Sequence, residues 1–200
     1  GMNDTQWIAE HLLADDAARA AFHAQVAGIY RARLDALGLV PKDGESDDDR
    51  LLRASLVGFF AQTLKDPAVR GAMGKQGRAM LGIDGDGKLH VEAVPQDLRG
   101  VALVVAVQEG GKPAFDIAEK HLRASEDAIV RGQLLGALAS VRDPALAERA
   151  RGLVFQPELL RRNELTTVAE YQVDEPALRP AVRQWLDANF AELQKRLAPA

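Results

Sequence analysis

Apolar residues recur at helical spacing along most of this chain and divide it into consecutive amphipathic segments. The spacing predicts a short helix over residues 5–13 and a longer one over about 16–37, which Gly38 is expected to end. A further helix is predicted from about residue 178 to 197. Its apolar stripe consists of Val182, Trp185, Leu186, Phe190, Leu193 and Leu197. The pattern therefore favours an all-α protein.

Between these ends one motif recurs four times: an arginine followed 13 or 14 residues later by proline, alanine and an apolar residue. The arginines are Arg53, Arg99, Arg131 and Arg162, and the prolines are Pro67, Pro113, Pro144 and Pro176. Successive prolines are 46, 31 and 32 residues apart, which is the spacing of helical repeats. Because proline is tolerated in the first turn of a helix, we expect each proline to open the second helix of a hairpin. Asp66, Asp143 and Glu175 precede three of the prolines as candidate caps.

The repeat also decides how residues 101–107 fold. This β-branched apolar run is compatible with a buried strand, but it aligns with residues 55–61 of the first repeat and is therefore predicted to be helical. Glycines interrupt the helical pattern after residue 81, and residues 89–92 alternate in polarity. We therefore predict one HEAT/armadillo-like right-handed α-solenoid domain over residues 1–200. It would have about four helical hairpins and a short irregular or β-hairpin insertion near 82–94.

Composition and charge exclude several classes of function. The net charge is −4 and the pI is about 5.6, which argues against a nucleic-acid partner. No apolar run reaches the roughly 18 residues typical of a membrane span. Because the chain has no cysteine, it can form neither disulfides nor cysteine-ligated zinc sites. We therefore expect neither nucleic acid nor a membrane among its partners.

No residue pattern indicates catalysis. The histidines, His11, His23, His90 and His121, do not form a His-Glu-x-x-His zinc motif. The segment 84–88 begins like a calcium loop but lacks the later oxygen ligands and the glycine at the sharp turn. No serine lies in a Gly-x-Ser-x-Gly motif, and no phosphate-binding glycine loop occurs. We therefore expect no catalytic residue, metal site or cofactor on this chain.

Three passages resemble the C-terminal domain of the zinc aminopeptidases related to the puromycin-sensitive and endoplasmic-reticulum enzymes. They are Leu37 to Leu39 with Gly44 to Asp48 and Leu51 to Arg53, Arg131 to Ala139 with Arg142 to Leu146, and Trp185 to Phe190. The resemblance implies a HEAT-like superhelical domain that closes over the active-site cavity of an upstream catalytic domain, which would hold the zinc. The chain would then be part of a larger C-terminal domain, with that catalytic domain and peptide substrate as its partners.

The resemblance also directs attention to cations on the second helix of each hairpin. If the domain holds the carboxyl end of a peptide, the candidate substrate-binding residues are Arg70, Lys120, Arg149 and Arg179. The alternative, which the sequence favours for any one of the four, is a solvated charge on a helix face. The four repeat arginines are expected to pair with acids of the neighbouring repeat or, alternatively, to bind peptide. The competing function is a free-standing HEAT-like scaffold that binds another protein.

Overall fold

A computed structural model describes residues 2–198, except for the Asn3 side chain, as an all-helical structure without a strand in that range. Its α-helices are α1 (Met2–His11), α2 (Asp16–Leu37), α3 (Asp47–Gly58), α4 (Pro67–Leu81), α5 (Arg99–Ala124), α6 (Ala128–Ala139), α7 (Pro144–Leu153), α8 (Thr167–Val173) and α9 (Arg179–Leu197). A π-helix at Phe59–Thr63 continues α3, and three 3-10 helices lie at Val91–Ala93, Gln96–Leu98 and Arg162–Glu164.

Capping residues set most of the helix boundaries as the sequence predicts. The carboxylates of Asp66 and Asp143 accept hydrogen bonds from the amides of Val69 and Leu146, and Pro67 and Pro144 are the first residues of α4 and α7. Gly38 ends α2 with a φ of 74°. These boundaries are local decisions, since each requires only a side-chain acceptor or a permissive backbone beside a helix end.

The second repeat is helical on both sides of its loop, and residues 101–107 form part of a buried helix. The helix α5 is broken at Gly111, whose φ of 56° and ψ of −143° are not helical, two residues before Pro113. The fourth repeat differs from the prediction, because Pro176 lies in a turn in which the Leu178 amide donates to the Glu175 carbonyl at 2.9 Å. The helix α9 begins later, at Arg179.

The β-hairpin predicted near residues 82–94 is wrong, although the segment is irregular. Gly82 ends α4 in the left-handed conformation, and the chain continues through turns to the 3-10 helix Val91–Ala93. The His90 amide donates to the Met80 carbonyl at 2.8 Å, so this segment folds against the end of α4 instead of pairing with itself. A run of four residues with alternating polarity, 89–92, is too short to form a strand when no neighbouring strand pairs with it.

The core is centred on α4, α5 and α6. Their buried side chains include Met73, Met80, Leu103, Val105, Leu134 and Leu138. The helices α4 and α5 approach closely at Gly77, where a Cβ atom would lie 2.1 Å from the Ala102 carbonyl oxygen. The last helix is less buried than its stripe predicts. Leu193 is 7% exposed, but Phe190 is 64% exposed. The right-handed solenoid of four hairpins stays a prediction.

Candidate functional site

Two repeat arginines form buried ion pairs. Arg131 pairs with Glu164 of the next repeat, as predicted, whereas Arg53 pairs with Glu45 in the loop before its own helix. Arg53, at 1% exposure, donates to both carboxylate oxygens of Glu45 and to the carbonyls of Leu37 and Gly38 at 3.3 and 3.2 Å. The hydrogen bonds of Arg53 lower the pKa of the Glu45 carboxyl to about 2. This arginine therefore joins the end of α2 to the loop before α3.

Arg131 performs the same role further along the chain. It donates to Glu164 at 2.9 and 2.7 Å, to the carbonyls of Leu122 and Ser125 at 3.0 Å, and to that of Leu159 at 2.7 Å. Because both guanidinium groups are buried and donate their hydrogen bonds to groups inside the fold, Arg53 and Arg131 are not available to a peptide.

The other two repeat arginines form no ion pair with an acid among residues 2–198, contrary to expectation. Arg99 donates to the Val94 carbonyl and Arg162 to the Leu197 carbonyl. Backbone carbonyls at the end of a loop and of a helix replace the predicted carboxylates in these two repeats.

The four candidate substrate-binding cations lie in different surroundings. Arg149 forms ion pairs with Asp116 and Glu119, and its guanidinium lies 4.7 Å from the centre of the Phe115 ring. Lys120 is exposed on α5 and has no ion pair within residues 2–198. Neither residue lines the large cavity described below.

Arg70 and Arg179 are linked to that cavity. Arg70 donates to Glu109 at 3.1 Å and to the side-chain oxygen of Gln108 at 3.2 Å. Arg179 donates to the Val173 carbonyl at 2.7 Å and to Glu10 at 2.8 Å. Arg179 lines the cavity directly. Arg70 does not line it but hydrogen-bonds to Gln108, which does.

A cavity of about 590 Å³ is lined by α1 and by the turns that follow the π-helix, α6 and α8, among other elements. The charged side chains along its wall are Arg19, Lys65, Arg142, Arg179, Glu10, Asp174 and Glu175. Neutral hydrogen-bonding groups come from Gln62, Gln108, Ser140 and Tyr171, among others. About half of the cavity surface is apolar, but its wall carries many hydrogen-bonding groups and a small excess of cations over carboxylates, and we call it the polar cavity.

Lys65 is an unusual residue of this wall. Its φ of 55° places a non-glycine residue in the left-handed region, which costs conformational energy. Lys65 is exposed as a whole residue, but desolvation of its ammonium group and then the nearby charge of Arg142 lower the pKa of that group. No carboxylate lies within ion-pair distance of it among residues 2–198. Lys65 therefore presents a strained, unpaired cation to the cavity.

His23 lies near Lys65 and lacks a hydrogen bond at one ring nitrogen. Its Nε2 atom is buried and has no partner among the described residues. Burial, together with the charge of Lys65, lowers the pKa of the ring, which favours its neutral form. A buried polar atom without a partner is costly, so this wall suits a ligand that supplies hydrogen-bonding groups.

A second cavity of about 540 Å³ lies between α8 and α9 and is apolar. Its lining includes Leu165, Ala169, Trp185, Phe190, Leu193 and Leu197. The exposed half of the α9 stripe forms one side of this groove.

The described residues contain no cluster of three or more metal-binding side chains. Within residues 2–198, none of the helices has the length and apolar character needed to cross a bilayer.

Sequence reasoning missed Lys65, His23 and Arg142 as members of one site. They lie in a turn, on α2 and in a second turn, and no sequence interval predicts that these places meet. The available signals were weak: Lys65 and Arg142 each stand close before a predicted helix-opening proline, where a hairpin loop is expected.

No curated protein matches the chain. The family model described as ERAP1-like C-terminal domain matches residues 2–200, which is nearly the whole sequence. The resemblance seen in the three sequence passages is thereby confirmed, and the chain belongs to the family of ERAP1-like C-terminal domains.

Proposed function

We propose that this chain is the non-catalytic C-terminal domain of a zinc aminopeptidase and that its polar cavity helps to accommodate peptide substrates. In this proposal the helices form a HEAT-like array that closes over the active-site chamber. The catalytic domain lies upstream in the same polypeptide and holds the zinc. Family membership supports the first part, and the unpaired Lys65 beside the unsatisfied His23 is the observation that carries the second.

A peptide offers the groups that this cavity needs. Its terminal carboxylate can accept hydrogen bonds from the unpaired Lys65 and, in place of Glu10, from Arg179, and charge-assisted bonds of this kind are the stronger ones. The Gln108 side chain is held in place, because it accepts from Arg70 and donates to the Ser140 carbonyl at 2.7 Å. The peptide backbone carries alternating hydrogen-bond donors and acceptors. Along this wall it would meet side chains that are held in place, such as the Gln108 amide and the Ser140 hydroxyl.

Direct binding measurements on the isolated chain test this proposal. The probe is an N-acetylated nonapeptide with a free carboxyl terminus, compared with its C-terminal amide by titration calorimetry. We expect Lys65→Met to weaken binding of the acid roughly tenfold, as for loss of a charged hydrogen bond. Lys75→Met, which removes an exposed lysine of α4 away from the cavity, serves as the matched control. Equal binding of acid and amide by all proteins would contradict the proposal.

The alternative function is a free-standing scaffold for another protein, and the exposed apolar groove between α8 and α9 favours it. The length of the native gene separates the two. A His-Glu-x-x-His sequence encoded upstream of this chain supports the aminopeptidase, and a gene that encodes no such domain supports the scaffold.

A further inference from the structure

The helix α1 lines the polar cavity but has few apolar anchors. Ala9 is buried and Met2 is partly buried against the core, whereas Trp7 is 55% exposed. Elements with little buried apolar surface open at low free-energy cost. The position of α1 at the cavity therefore depends strongly on its polar contacts.

Two of these polar contacts reach the other end of the chain. Gln6 donates to the Asp174 carbonyl at 3.2 Å, and Arg179 donates to the Glu10 carboxylate at 2.8 Å. Gln6 also donates to Glu10 at 2.8 Å, so both residues belong to one small network. This network ties α1 to the segment between α8 and α9, and Gln6, Glu10 and Arg179 all line the cavity.

Glu10 shows that a carboxylate is stable at this place. Burial would raise the pKa of the Glu10 carboxyl, but the hydrogen bonds from Arg179 and Gln6 outweigh burial and lower it. Arg179 is also fixed independently of Glu10, because its Nε donates to the Val173 carbonyl at 2.7 Å. The guanidinium can therefore keep its position when one carboxylate replaces another.

We propose that α1 is a displaceable strap over the polar cavity, and that Glu10 holds it closed by occupying Arg179 in place of a ligand carboxylate. This inference rests on the proposed function, since it takes the carboxylate of a peptide as the competitor. Binding at Arg179 frees Glu10 and loosens α1. Because the coupling between two sites is reciprocal, loosening α1 strengthens binding by the same factor.

The test uses Glu10→Gln, with Glu170→Gln as the matched control. Glu170 is an exposed acid on α8 without a hydrogen bond or ion pair from its side chain within residues 2–198. Affinity is measured for the N-acetylated nonapeptide acid and its amide, and hydrogen exchange of α1 is followed by mass spectrometry with and without saturating acid. We expect Glu10→Gln to bind the acid roughly threefold to fivefold more tightly, as for loss of a competing exposed ion pair. It should also speed exchange in α1 without ligand.

In the unaltered chain, the acid is expected to speed exchange in α1, whereas the amide leaves it unchanged. An Arg179→Met background distinguishes competition from a general loosening of the fold, because Glu10→Gln should then no longer tighten binding. If the acid binds but protects α1 or leaves its exchange unchanged, the strap is overturned and the peptide site stands. If no protein binds the acid, the peptide site and the strap are both overturned.

Discussion

At the scale of single residues, the buried arginines hold together helix ends that the backbone alone leaves unsatisfied. Arg131 serves three carbonyls and one carboxylate in a place where its side chain and that of Glu164 are each 7% exposed. Such a pair adds little stability compared with apolar residues of the same shape, but breaking it leaves an uncompensated buried charge.

Arg131→Ala is therefore expected to lower the free energy of unfolding by about 3–5 kcal/mol, since Glu164 would remain buried without its partner. Arg162→Ala is the comparison, because this arginine occupies the same repeat position but is exposed and donates to one carbonyl. Its loss should cost less than about 1 kcal/mol. Urea unfolding followed by circular dichroism measures both values. Equal losses would show that the two positions have equivalent surroundings.

The pair of Arg53 and Glu45 predicts how stability depends on pH. The hydrogen bonds from Arg53 hold the pKa of Glu45 at about 2 in the folded state, below its ordinary value of 4.5. The unfolded chain therefore takes up this proton first as the pH falls. The contribution of Glu45 is complete above its unfolded pKa and decreases from there towards pH 2. We expect the urea midpoint to fall over this range, and Glu45→Gln to reduce that dependence. A parallel fall in both proteins would contradict this assignment.

At the scale of helices, sequence reasoning succeeded where one segment contains its own signal. Pro67 and Pro144 with their aspartate caps fixed the starts of α4 and α7. Sequence reasoning predicted residues 101–107 to be helical only through their alignment with residues 55–61 of the first repeat, and they are helical. It failed at Pro176, because proline suits the second position of a turn as well as the first turn of a helix.

A cap prediction follows for α7. Asp143→Ala should lower the free energy of unfolding by about 1 kcal/mol, because the Leu146 amide loses its acceptor. Asp143→Asn keeps an oxygen at this position and should recover most of the loss. Urea unfolding of the three proteins gives the comparison. Losses of the same size for alanine and asparagine would mean that the charge and not the hydrogen bond matters.

The orientation of α9 can be tested in the same way. Leu193→Ala should cost about 2–5 kcal/mol, the range for truncating a buried leucine. Phe190→Ala should stay within about 0.5 kcal/mol, since this ring is 64% exposed. The sequence pattern places both residues on one apolar face of α9, but it does not tell which of them is buried. The difference between the two losses in the free energy of unfolding measures this. A large loss for Phe190→Ala would indicate that the ring is covered in solution.

At the scale of the whole molecule, the candidate site depends on contacts that no local pattern encodes. Its wall joins α1 to residues more than 160 positions later, through Glu10 and Arg179. Sequence reasoning named Arg179 because it follows a repeat proline, but it could not see that Lys65 and Arg142 lie at the same cavity. Periodicity, caps and prolines within each segment therefore predicted the helices. The residues of the cavity come together only through the packing of distant segments, which these local signals do not encode.

The kinetics of the full-length enzyme test the proposed function at this scale. Under the proposed function, Lys65→Glu and Arg179→Glu should raise KM more than they lower kcat, because they would remove ground-state binding of the peptide and leave the proposed upstream zinc chemistry in place. Arg70→Glu should have the same direction of effect through Gln108.

Two other charge reversals complete the comparison. Lys120→Glu should leave the kinetics unchanged, since Lys120 does not line the cavity. Arg149→Glu should lower stability instead, because the new carboxylate would face Asp116 and Glu119. Rates are measured on peptides of several lengths, with Lys75→Glu as the control and urea unfolding as the check on folding. Unchanged KM in both cavity variants would contradict the peptide site and leave this domain a purely steric cover over the catalytic chamber.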